Sequence, residues 1–167
     1  MPSKNQSILI GVAVSVVLGL AFAFIASSAG TIGQTLAGCF ACLVALAAPM
    51  TAVWHYTSTY NLTIPAGQGA GIGAAVGAAG AILSGILQRV FMSIGLLPDP
   101  IEQAREIYEA QGMSPEQIEQ AMGMVEALSS PVMGIIFGLI LGALVGAIGG
   151  ALGAVVFKKG NADDYEV

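Results

Sequence analysis

Residues 8–28, 31–54, 66–88 and 131–157 contain no Asp, Glu, Lys or Arg. A helix needs about 20 mainly apolar residues to cross a hydrocarbon core roughly 30 Å thick, and each stretch supplies them. Only 9% of the chain is charged, whereas a soluble domain carries about 25%. A small soluble fold leaves too much of its area in water to hide so much apolar surface. Lipid is therefore the expected solvent for most of the chain. The pattern predicts an all-α integral membrane protein with four transmembrane helices, forming a single membrane domain over residues 1–167. The run at 8–26 exceeds the roughly 7 to 15 residues of a signal-peptide core, so it is read as a retained span.

The character changes between the third and fourth spans. Asp99-Pro100-Ile101-Glu102 places an N-cap, a first-turn proline and an acid at the third helical position, which is close to a capping box. Gly112 stands where a glycine ends a helix, and Ser114-Pro115-Glu116-Gln117 repeats the start signal. Ile101, Ala104 and Tyr108 recur at helical spacing, as do Ile118, Ala121, Val125 and Leu128. Residues 99–128 are thus predicted to form an extramembrane amphipathic hairpin, making its contacts through Ile118, Val125 and Leu128. Ser129-Ser130-Pro131 supplies a further cap, opening the fourth span.

All ten acids lie either between Asp99 and Glu126 or in the tail at Asp163, Asp164 and Glu166. Nothing forms a basic stripe, so no nucleic-acid partner is expected. Lys4, Lys158 and Lys159 fall at the termini, against Arg89 and Arg105 on the hairpin side, which predicts both termini in the cytoplasm. Trp54, His55, Tyr56 and Tyr60 gather where the second span ends, suiting the headgroup zone. The Asn61-Leu62-Thr63 triplet that follows matches a glycosylation acceptor, a pattern common by chance.

The most specific feature is glycine at every fourth position. In the fourth span the series is Gly134, Gly138, Gly142, Gly146 and Gly150, with Gly149 and Gly153 in a second row; in the third it is Gly69, Gly73, Gly77, Ala81 and Gly85. Small residues four apart let helix backbones approach closely in lipid. Each step of four turns the row about 40° beyond a full circle, so its two ends meet different neighbours. These glycines are expected to pack span three on span four, or to form an interface with another copy or subunit. A glycine-lined pore is the third reading.

No residues assemble into a catalytic, cofactor or metal site. Cys39 and Cys42 have C-x-x-C spacing, but zinc requires about four ligands, and the single His, His55, lies at the end of its span; the cysteines read as small packing residues and His55 as an interfacial anchor. Arg89 either lies within the membrane or extends its side chain to the headgroups. Gln34 and Thr35 are candidates for hydrogen bonds between helices. A rotary-ATPase proteolipid would need a carboxylate near mid-membrane, and the spans contain none.

From residue 66 to residue 159 the chain resembles a bacterial family of small membrane proteins known as domain of unknown function family 4199. The resemblance rests on Pro98-Asp99-Pro100 after an apolar span, on residues 111–121, and on a small-residue span closed by Lys158-Lys159. It implies a bacterial inner-membrane location and no activity, ligand or functional residue.

The expected function is that of a non-catalytic structural or accessory membrane protein, self-associating or embedded in a larger complex, with the lipid bilayer, further copies or other membrane subunits as partners and no cofactor. The alternative is a small oligomeric channel or transporter. That would require polar groups meeting near mid-membrane, and the span interiors offer mainly Ser15, Gln34, Thr35, Thr51 and Ser84.

Overall fold

The computed structural model describes residues 3–28 and 30–158, with the side chains of residues 26–42, 44, 100, 128, 129 and 131 outside that description. The described residues form six α-helices and no strand: α1 Asn5–Ser28, α2 Gly30–Tyr60, α3 Ala66–Ser93, α4 Pro100–Ala110, α5 Pro115–Ser129 and α6 Pro131–Val156. Among the described residues three segments are long and apolar enough to cross a membrane, Asn5–Ile25, Ala66–Ser93 and Val132–Val156. The second predicted span falls within α2.

Two helices run beyond their apolar stretches. The α2 helix continues past Trp54 to Tyr60, and α3 past Gln88 to Ser93, so Arg89 lies inside α3, about one turn from its end. Each ends at a residue able to take the left-handed conformation. Asn61 has φ 53° and Gly95 φ 74°, and the following amides reach back five residues, Leu62 N to Thr57 O at 2.9 Å and Leu96 N to Phe91 O at 2.9 Å. Gly112, with φ 72°, closes α4 the same way through Met113 N to Tyr108 O at 3.3 Å. These bonds satisfy carbonyls that a helix end would otherwise leave open.

The helix starts follow the local signals in the sequence. Asp99 Oδ1 accepts from Ile101 N at 2.8 Å. Ser114 and Gln117 form a reciprocal capping box, with Ser114 N donating to Gln117 Oε1 at 3.0 Å and Gln117 N to Ser114 Oγ at 3.4 Å. Ser130 Oγ accepts from Met133 N at 3.4 Å.

In the bundle α2 and α3 lie on the inner diagonal: each touches the other, α1 and α6, whereas α1 and α6 do not meet among the described residues. The core joins Ala48, Ala52, Val53 and Tyr56 of α2 to Ile72 and Val76 of α3 and Ala154 of α6. Pro49 sits inside α2 and is fully buried. A proline in a helix cannot donate to the carbonyl four residues back, here that of Ala45; membrane helices tolerate this where neighbours re-satisfy the freed group.

Candidate functional site

The largest interface is between α3 and α6, and its geometry follows from missing side chains. A Cβ on Gly69, Gly73 or Gly77 would overlap the carbonyl oxygen of Gly150, Gly146 or Gly142 respectively. The reverse holds too: a Cβ on Gly142 would lie 2.6 Å from the Gly77 oxygen and 2.9 Å from the Ala81 Cβ. The descending partner numbers show that the two helices run antiparallel with their backbones in contact. The rest of the two rows does not take part in this way. Gly138 would make ordinary contact, its Cβ 3.8 Å from that of Ala81, and Cβ atoms on Gly85 and Gly134 would meet nothing within 4 Å. The second row of α6 faces α2: a Cβ on Gly149 would approach Leu46 O at 3.0 Å and Pro49 at 3.2 Å, and one on Gly153 would approach Val53 at 3.1 Å.

A further small-residue row lies on α1. Gly11, Ser15 and Gly19 are four apart and meet Val76, Gly80 and Ser84 of α3 in parallel register. A Cβ on Gly11 would lie 2.9 Å from Val76 Cγ2, one on Gly80 2.5 Å from Ser15 Oγ, and one on Gly19 3.5 Å from Ser84 Oγ. Its signal was present in the sequence as spacing, but with serine standing in for one of the glycines.

Two clefts adjoin these contacts. The first, of about 290 Å³, lies among α1, α2, α3 and α6 and brings Ser15, Ser84 and Gln88 together; Ala45, whose carbonyl Pro49 leaves without its helical donor, also lines it. The second, of about 350 Å³, lies among α3, the start of α4 and α6. Its walls are Ile82, Ile86 and Ile135, its floor includes the open Gly85 and Gly134, and Arg89 and Asp99 line it. Gln88 and Ala81 border both clefts. Residues 89 and 99 are brought together because α3 runs on to Ser93 and the chain turns at Gly95, which the apolar pattern alone does not reveal.

Where the α1 N-terminus meets the α2 C-terminus, the Ser7 hydroxyl and His55 Nδ1 share a hydrogen bond of 2.9 Å. Ser7 is buried, and Tyr60 donates to Ser3 O at 3.4 Å. His55 thus ties two helices together. Thr51 Oγ1 donates to Ala47 O within its own helix at 2.8 Å and so contributes nothing between helices. The side chains of Gln34, Thr35, Cys39 and Cys42 lie outside the described residues.

In the segment before α6, α4 packs on α5 and α5 also contacts α6. Ile118 and Val125 are half-buried, and Leu128 lies outside the described side chains. The most buried residue here is Met122, one turn from Ile118 on the same face and absent from the predicted contact set.

No curated protein and no solved structure matches this chain. The profile of the family described as "Protein of unknown function (DUF4199)" matches residues 6–159, extending the resemblance from the region after residue 66 back through α1 and α2. With nearly the whole helical bundle inside that match, the chain belongs to the DUF4199 family.

Proposed function

We propose that the protein is a non-catalytic structural or accessory subunit of the membrane, with α2 as a fourth span beside the three apolar helices and α4–α5 as a hairpin outside the bilayer. One observation carries this reading: the close glycine contacts of α3 and α6 turn inward, leaving Val132, Ile135, Ile136, Leu139 and Ile140 exposed along α6. A helix presenting apolar side chains outward suits lipid or another membrane subunit. Extraction in mild detergent followed by native mass determination is expected to give a self-oligomer or a companion subunit at fixed stoichiometry. A solitary chain that moves a solute across vesicles would overturn the proposal.

In the proposed topology both termini are cytoplasmic and the hairpin lies outside, following the placement of Lys4 and Lys158. A single cysteine replacing Glu109 should react with an impermeant maleimide on intact cells. Labelling confined to a cysteine at Lys158 would reverse the orientation.

A second reading, a small transporter or channel, has a specific observation in its favour. Ser15, Ser84 and Gln88 line one cleft beside a helix that contains a buried proline, and polar groups gathered between spans are what a solute path requires. Solute flux abolished by Ser84→Ala and Gln88→Leu, with the fold intact, would favour this reading over the first.

A further inference from the structure

The cleft among α3, α4 and α6 has two features that bear on what it can hold. It has a glycine floor at Gly85 and Gly134, where a Cβ would meet nothing within 4 Å, so the depression is room that no side chain fills. It is also polar at one end only. Ala81 and Ile82 lie about two turns deeper along α3 than Arg89, roughly 10 to 12 Å at 1.5 Å per residue, while Arg89 and Asp99 stand where α3 gives way to the turn before α4.

We propose that this cleft holds a single glycerophospholipid with an amine-bearing headgroup, one acyl chain lying over Gly85 and Gly134, the phosphate on Arg89 and the headgroup ammonium toward Asp99. The volume of about 350 Å³ takes part of one acyl chain, the rest of the lipid lying in the bilayer. A guanidinium has five donors in a fixed fork matched to phosphate geometry, enough to engage a phosphate while keeping a protein contact. Asp99 uses Oδ1 to cap α4, which fixes its carboxylate at the mouth of the cleft, where an ammonium group is favoured and a purely anionic headgroup is not. A phospholipid brings an anion and an apolar chain in the same order as the cleft presents their partners.

The test uses the full chain, delipidated in mild detergent and titrated with dioleoylphosphatidylethanolamine under native mass spectrometry. A single retained lipid is expected. Arg89→Gln should weaken retention about fivefold, the worth of one basic residue beside a charged lipid headgroup. Gly134→Leu should abolish retention by filling the floor. Gly134→Leu should not lower the thermal transition, since a Cβ there would meet nothing within 4 Å. Asp99→Asn, which preserves a helix cap, should remove the preference for phosphatidylethanolamine over phosphatidylglycerol. Equal retention by the unaltered protein of phosphatidylglycerol, or of dioleoylglycerol lacking the phosphate, overturns the proposal. So does retention indifferent to Gly134→Leu, or a dimer that Gly134→Leu dissociates.

Discussion

Gly77→Leu is expected to destabilise the isolated chain strongly. The obstacle is the carbonyl oxygen of Gly142, with the Gly146 Cα 3.0 Å from the position a Cβ would take. Neither can rotate aside, so the added side chain must push two helix backbones apart along their whole contact. Overpacking typically costs about 1 to 3 kcal/mol and occasionally more; a backbone obstacle places this site at or above the upper figure. Against a total stability of about 5 to 15 kcal/mol, a loss of about 3 kcal/mol lowers Tm by roughly 6 to 12 °C for a chain of this size. Gly85→Leu supplies the comparison. It belongs to the same row, its Cβ meets nothing within 4 Å, and replacing an exposed helical glycine gains about 0.5 to 1 kcal/mol in propensity. Tm should therefore hold or rise. Thermal unfolding of both variants in one detergent decides the matter, and equal melting of Gly77→Leu and the parent would mean that α3 and α6 do not touch as described.

The same comparison shows how far the sequence carries. Spacing identifies a small-residue row because a residue's place on the helix is fixed by its number, and the caps at Asp99, Ser114 and Ser130 were legible because their bonds span only two or three residues. Spacing does not say what lies opposite. Gly77 and Gly85 share one row, yet two steps of four turn it by about 80°, enough to carry Gly85 off α6 and into the floor of a cleft. The Gly11, Ser15 and Gly19 row went unrecognised because Ser15 reads as a polar residue until Gly80 is seen against it. Pro49 is hidden inside an apolar run, and its place against Gly149 of α6 shows only in the packed helices. The Arg89 and Asp99 cleft depends on where α3 stops, and hydropathy places that stop near Gln88 rather than at Ser93. Met122 is the most buried residue of its helix, yet methionine is a less conspicuous apolar signal than the Ile and Val one turn on either side.

On the parallel contact of α1 with α3 the obstacle to a larger residue is a side chain, and the expected result differs in kind. A Cβ on Gly80 would lie 2.5 Å from Ser15 Oγ and 3.0 Å from Ser15 Cβ. The hydroxyl can rotate away, but the Cβ cannot, so Gly80→Val should cost about 1 to 3 kcal/mol through overpacking. Ser15→Gly alone removes the atoms in the way, at a cost of roughly 1 kcal/mol in helix propensity at most. Combined, the substitutions should be less destabilising than their sum, because the glycine on α1 makes room for the valine on α3. Coupling of residues in contact commonly reaches about 0.5 to 3 kcal/mol. No such partner exists for Gly77, whose obstacle is a backbone oxygen that every residue type at position 142 would carry. Gly77→Ala combined with any substitution of Gly142 should therefore show no rescue, while Gly80→Val with Ser15→Gly should recover part of the lost Tm. A double-mutant cycle by thermal unfolding in one detergent measures both, and strict additivity at Gly80 and Ser15 would remove the α1–α3 contact from the account of the fold.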